Sequence, residues 1–227
     1  MIKRLIAATL ALTFAAFSSS AFAQGDLDIP LPAQTVQVYQ PVDFNLSDDP
    51  ENILLLDLST GKRVAIRLMP SWAPNHVERI KTLARRGFYD GVIFHRVIDG
   101  FMAQTGDPTG TGQGGSDLPD LKAEFNPMPH MRGTVSMARA ASNDSANSQF
   151  FIVFYPRLGL DRKYTNFGRV IAGMDAADGI ARGEPPANPT RIVQASIAAD
   201  NKPPPAPPQP AAPAEFTADL LSNSASN

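Results

Sequence analysis

The stretch FHRVIDGFMAQTGD, Phe94 to Asp107, sets one arginine and one glutamine among phenylalanines and a methionine. It contains no nucleophile paired with a base, no metal-ligand spacing and no acid–base pair. Arg96 offers a planar, permanently charged set of donors and Gln104 an amide. The chemistry open to such a set is charge and hydrogen-bond stabilisation beside an apolar surface, with no covalent intermediate.

The rest of the chain offers no stronger constellation. Cysteine is absent, which removes thiol nucleophiles, Cys–metal sites and disulfides. His76, His95 and His130 lie far apart without an H-x-x-x-H spacing, so neither a metal site nor a cofactor is expected. Gly110 to Gly115, GTGQGG, satisfies G-x-G-x-x-G formally. No helix pattern opens after it and no Lys-Ser or Lys-Thr pair follows, so it reads as a flexible surface loop. No G-x-S-x-G occurs. The serines of SNDSANS, Ser142 to Ser148, have no neighbouring base, and Asp144 reads as a turn residue. With 20 Lys and Arg against 22 Asp and Glu, the net charge is -2; no nucleic-acid partner is indicated.

The elements that would hold Arg96 and Gln104 are short strands. A chain of 227 residues, 43% hydrophobic, has room for one ordinary core domain with tails. ILLLDL (Ile53 to Leu58) and RVAIRL (Arg63 to Leu68) form a predicted hairpin across Ser59–Lys62. A helix starts near Pro74, carries Val77, Ile80, Leu83 and Ala84 on one face, and stops at Gly87. The strands GVIFHRV, FMAQT, GTVSMARA, SQFFIVF and NFGRVI follow, then a short helix over Met174–Arg182 and a last strand over Arg191–Ala198. SQFFIVF is apolar on both alternating faces, so it is covered on both sides. Many short strands and few helices imply a closed or nearly closed antiparallel barrel. Two turn registers fit the opening stretch. A two-residue turn at Asp99-Gly100 puts Arg96 opposite Ala103, whereas a three-residue loop at Ile98-Asp99-Gly100 pairs Arg96 with Met102 and Phe94 with Gln104. Alternation alone leaves both open.

The two ends differ from the middle. Lys3 and Arg4 precede an apolar run from Leu5 to Phe17 and small residues ending Ala21-Phe22-Ala23. This is the pattern of a signal peptide over 1–23, cleaved after Ala23, with export to the periplasm as the expectation; the run is too short to span a membrane. Residues 24–50 form an extended leader in which VQVYQ, Val36 to Gln40, could add an edge strand. Residues 51–199 make up the folded domain. Residues 200–227 begin with a Pro-Ala tract and form a disordered tail.

FHRVIDGFMAQTGD, then SMARA (Ser136 to Ala140), NSQFFI (Asn147 to Ile152), LGLD (Leu158 to Asp161) and FGRVIAGMD (Phe167 to Asp175) resemble, in order and spacing, the cyclophilin family of peptidyl-prolyl isomerases. The run SMARAASNDSANSQFF resembles the bacterial branch of that family. The resemblance implies an eight-stranded antiparallel closed β-barrel capped by two α-helices. It implies Arg96 as the catalytic arginine and Phe101, Met102, Phe151 and Leu160 as a proline pocket. Gln104 and Gln149 match the family's hydrogen-bonding amides, with Gln104 orienting Arg96. Ala138 and Arg139 match the segment along which substrate backbone lies, and Tyr164 stands where a histidine is common. The implied loop is Ile98-Asp99-Gly100, with Arg96, Met102 and Gln104 on one face.

The reaction so implied is rotation about X–Pro bonds in unfolded or partly folded proline-containing polypeptides, by a monomer without cofactor. A barrier of about 20 kcal/mol gives an uncatalysed rate of roughly 0.01 per second. Twisting the amide breaks no bond and so needs no nucleophile; it returns a lone pair to the proline nitrogen, to which Arg96 can donate. The alternative is a proline-binding holdase without turnover. Gly159 departs from the family, which often carries there an aromatic that contributes to cyclosporin contact.

Overall fold

Why the sheet forms is visible in its first hairpin. In β1 (Ile53–Leu58) and β2 (Arg63–Leu68), Leu54, Leu56 and Leu58 and then Val64, Ile66 and Leu68 turn into the core, as the two-residue period of a strand requires. The remaining strands are β3 (Arg96–Ile98), β4 (Met102–Thr105), β5 (Thr134–Met137), β6 (Phe150–Val153), β7 (Asn166–Ala172) and β8 (Ile192–Ile197). The computed structural model describes residues 37–206. All strand pairings are antiparallel, in the order β3-β4-β6-β5-β7-β2-β1-β8.

The expected closed barrel is corrected to an open half-barrel. β3 and β8 are its edges, and no ladder joins them. Among the described residues, the isolated bridges Ile93↔Arg191 and Val97↔Gly183 and a few single backbone bonds such as Phe94 N to Thr190 O cross the gap. The segment facing β3 carries Pro185, Pro186 and Pro189, which have no N–H to give to a ladder.

Helix α1 (Pro74–Arg85) covers the core with Val77, Ile80, Leu83 and Ala84, all fully buried. Pro74 lies in its first turn, and no side chain of the N-cap residue closes that end. The distant Glu124 does so, its carboxylate accepting from the backbone of Asn75 at 3.2 Å and of His76 at 3.1 Å, where the helix dipole favours negative charge. The stop is at Gly87, as expected. Its φ is 69°, and the paired bonds Phe88 N to Leu83 O and Gly87 N to Ala84 O satisfy two terminal carbonyls. α2 (Met174–Asp178) ends at Gly179, short of the predicted Arg182.

The leader is docked at its far end rather than merely extended. Arg67, almost wholly buried, donates to the backbone oxygens of Asp43, Asn45, Asp48 and Asp49. Gln37 to Gln40 form no strand; Trp72 Nε1 donates to Gln40 O and Gln37 Nε2 to Ser71 O. The predicted signal peptide, the leader through Val36 and the tail beyond residue 206 lie outside the described residues.

Candidate functional site

β4 and β6 build the wall of the site by alternation. Ala103, Phe150 and Ile152 point into the core, while Met102, Phe151 and Val153 pack on the other face with Ile98, Phe101, Ala138, Leu160 and Tyr164. The β4–β6 register places Met102 opposite Val153 and Gln104 opposite Phe151. On the other side of β4, Arg96 lies opposite Gln104 and Ile98 opposite Met102.

That register corrects the expected loop, which is Asp99-Gly100-Phe101 rather than Ile98-Asp99-Gly100. Phe101 N donates to Ile98 O at 3.1 Å, and Gly100 takes φ 64°, the left-handed position a tight turn needs. The slip amounts to two residues on the partner strand, so parity survives and Arg96, Met102 and Gln104 do share a face. Phe94 does not join them. The chain leaves regular strand geometry at Phe94 and His95, Phe94 N donates to Thr190 O, and its ring is fully buried in the core.

Arg96, Phe101, Met102, Gln104, Ala138, Arg139, Phe151, Leu160 and Tyr164 line one cavity of about 250 Å³. Gln149 is the only sequence-predicted site residue outside that lining. It faces an adjoining cleft of about 500 Å³ that shares Gln104, Ala138 and Arg139. Phe151 and Tyr164 meet edge to face at 5.8 Å, and the Arg139 guanidinium lies 4.7 Å over the Tyr164 ring. Arg139 also donates to Lys163 O, Ala140 O and Ala141 O, which ties the two loops together.

The polar contacts differ from expectation. Gln104 Nε2 donates to Gln149 Oε1 at 2.8 Å, and Gln149 Nε2 donates to Gly112 O and Gly114 O at 3.1 and 2.8 Å. With its amide turned toward Gln149, Gln104 does not bond to Arg96. Arg96 Nε donates instead to Glu184 Oε2 at 2.8 Å. Among the described residues, neither η nitrogen of Arg96 donates a hydrogen bond to protein.

Comparison with known proteins gives this arrangement its family. Residues 55–197 match the model for cyclophilin type peptidyl-prolyl cis-trans isomerases. The chain belongs to the cyclophilin-type peptidyl-prolyl cis-trans isomerase family. It is 49% identical over 170 residues to a probable peptidyl-prolyl cis-trans isomerase of Brucella suis, covering 68% of this chain and 86% of that one. It is 42% identical over 128 residues to peptidyl-prolyl cis-trans isomerase B of Bacillus subtilis, covering 56% and 89%. Among solved structures, the cyclophilin AquaCyp293 from Hirschia baltica superposes with a TM-score of 0.63 at 33% identity, over 68% of this chain and 77% of that one. A cyclophilin type isomerase of Cryptosporidium parvum, crystallised in the presence of the dipeptide Ala-Pro, gives 0.59 at 29% identity, over 64% and 98%.

Two supports of this cyclophilin site were not read from the sequence. The glycine loop is organised around Asp107, which accepts from Thr109 N, Thr109 Oγ1, Gly112 N and Gly114 N. Burial pushes the Asp107 carboxyl up, but these bonds outweigh it and bring its pKa to about 2. A Cβ on Gly114 would strike Asp107 Oδ1, so the loop is close-packed where free movement was expected. The second support is His130, whose Nδ1 lies 2.8 Å from Asp161 Oδ1 and whose Nε2 lies 2.7 Å from Ser136 Oγ. Burial lowers its pKa while Asp161 pulls the other way. The set looks like a Ser-His-Asp triad, yet Ser136 is fully buried and no substrate reaches it. It fixes Asp161, and with it the turn Leu158–Leu160 that carries a pocket residue. The three residues come from separate segments, and no spacing signals them. Among the described residues, no group of three or more His, Cys, Asp or Glu is placed to hold a metal ion, and no helix is long and apolar enough to cross a membrane.

Proposed function

We propose that this chain accelerates X–Pro rotation by hydrogen bonding from the Arg96 guanidinium to the proline nitrogen in the twisted state, in proline-containing clients met after export. The observation that carries this reading is the cavity itself. Apolar Phe101, Met102, Phe151 and Leu160 share its wall with one arginine, and the η nitrogens of that arginine have no protein partner among the described residues. Apolar walls would hold the proline ring by burial while the preceding residue rotates. The donor acts where the lone pair appears, so the bond strengthens only as the amide twists, the condition for lowering the barrier. Ala138 and Arg139 at the rim would receive the substrate backbone, with Gln104 and Gln149 as further amides. The SMARAASNDSANSQFF run supports the bacterial branch. The signal-like segment supports cleavage after Ala23 and a periplasmic location.

The test is a protease-coupled assay or exchange NMR on an Ala-Pro peptide. Arg96→Ala is expected to lower kcat/KM by about 10²–10³-fold, the usual loss for one transition-state donor, with the melting temperature unchanged. Equal rates for the two proteins would remove the arginine mechanism, and binding without turnover in either would leave a holdase. N-terminal sequencing of protein recovered from the periplasmic fraction tests the export reading; an intact Met1 would end it.

A further inference from the structure

Where the two edges of the sheet approach, Val97 and Gly183 exchange both backbone hydrogen bonds, at 2.8 and 2.9 Å. In an antiparallel pair, the residues next to such a couple face each other closely on one side of the ribbon. Those neighbours are Arg96 and Glu184, and they meet as Nε to Oε2 at 2.8 Å. Gly183 fixes this register. Its φ is 143°, and a Cβ there would lie 2.6 Å from Pro186 Cα, so no other residue fits. Arg182, one position earlier, is anchored as well. It donates to Asp99 Oδ1 and to the backbone oxygens of Asp178 and Ile180, and lies 4.4 Å over the Phe154 ring.

We propose that Glu184 is the positioning residue of the isomerisation, taking the Nε–H of Arg96 so that both η nitrogens stay aimed into the proline cavity. This rests on the Arg96 reading above. Both side chains are partly exposed, with relative accessibilities of 41% and 52%, so the pair adds little to stability. Its effect is on orientation. An arginine has many rotamers, and one carboxylate bound at Nε restricts the plane of the guanidinium while leaving its far end for substrate. The bond is charge-assisted and needs an acceptor at that reach. A glutamine at 184 would still offer an oxygen there, whereas alanine offers none.

The experiment measures kcat and KM on an Ala-Pro peptide for wild type, Glu184→Ala, Glu184→Gln, Arg96→Ala, Arg96→Lys and the Arg96→Lys/Glu184→Ala pair. Glu184→Ala is expected to lower kcat about tenfold with KM within about twofold, and Glu184→Gln to keep kcat within about threefold of wild type. Lysine has no Nε donor to receive, so Glu184→Ala should have no further effect in the Arg96→Lys background. In parallel, the slowly exchanging Nε–H resonance of Arg96 should be lost in Glu184→Ala while backbone amide spectra stay superimposable. A Glu184→Ala kcat within twofold of wild type overturns the assignment, as does the same tenfold loss in the Arg96→Lys background. An Arg96→Ala protein as fast as wild type removes the arginine reading itself; a slow Arg96→Ala beside a normal Glu184→Ala removes only the role of Glu184.

Discussion

The two faces of β4 and β6 are made from the same short segments and solve opposite problems. On the inner face, Phe150 meets Tyr89 and Phe167 edge to face at 5.6 and 6.2 Å, and Ala103 and Ile152 complete a fully buried layer. On the outer face, Met102, Phe151 and Val153 are as apolar and nearly as buried, yet Met102 and Phe151 line a cavity of about 250 Å³. The inner face is filled by the chain's own side chains. The outer face keeps its shape through a surrounding polar frame, in which the Asp107 loop holds Gln149, Gln149 holds Gln104, and Asp161 is held by His130. A face that opens on a cavity is not packed by the chain's own residues, so hydrogen bonds take over the task of fixing it.

The sharpest way to break this contrast is to truncate adjacent phenylalanines. Phe150→Ala opens a void in a closed core and should cost about 3–5 kcal/mol of stability. The folded fraction should retain kcat/KM within a few-fold. Phe151→Ala loses the burial of its ring but widens a cavity already open to solvent rather than leaving a closed void, so about 1.5–3 kcal/mol is expected, with KM for an Ala-Pro peptide rising tenfold or more as the ring contact is lost. Urea denaturation and steady-state kinetics on both variants read the two effects. A reversed pattern, with Phe151 the stability residue and Phe150 the affinity residue, would end the distinction between the faces.

The same contrast explains how much could be read beforehand. The inner face follows from period-2 and period-3.6 patterns, which is why the strands, α1 and its Gly87 stop were legible. Phe151 and Gln149 carry no such pattern that separates a pocket from a core, and they were recognised only through their resemblance to a family. The β3–β4 register was misplaced by two residues because a tight turn depends on where a glycine can adopt φ 64°, and alternation is blind to a shift of two. Closure of the barrel was overestimated because the prolines facing β3 act at a distance of about ninety residues in sequence. Glu184 and His130 were missed for the same reason: each acts on a partner that only tertiary folding brings near.

The polar frame can be tested separately by acid. The folded-state pKa of Asp107, about 2, lies below its ordinary value of 3.8. A depressed carboxylate contributes stability that is fully present above about pH 4 and is lost as pH falls toward 2. Asp107 is wholly buried, and a shift of that size corresponds to a contribution on the order of 2 kcal/mol at neutral pH. Urea midpoints taken from pH 7 to pH 2.5 should fall through that window in wild type and be flatter in Asp107→Asn. An Asp107→Asn protein with the wild-type acid profile would show that other carboxylates carry the dependence. A frame that fixes the outer face also predicts that Asp107→Asn loses isomerase activity at pH 7 in excess of its loss of folded protein.

The smallest effect is expected where the outer face continues past Leu160. A second cleft of about 700 Å³ runs there along Ile98, Phe101, Arg157, Leu158 and Gly159. A Cβ added at Gly159 would meet nothing within 4 Å. Gly159→Trp is therefore expected to change stability by no more than about 0.5 kcal/mol, as for any exposed position away from packing. If the outer face is shaped to receive foreign groups, an indole there becomes a new wall of the site rather than part of the core. Cyclosporin affinity should then rise about tenfold, the return expected from roughly 1.4 kcal/mol of aromatic contact. Isothermal titration and a thermal melt decide the matter. A Trp variant that melts many degrees lower without gaining affinity would mean that this end of the outer face is packed closed, and that the contrast between the two faces stops at Leu160.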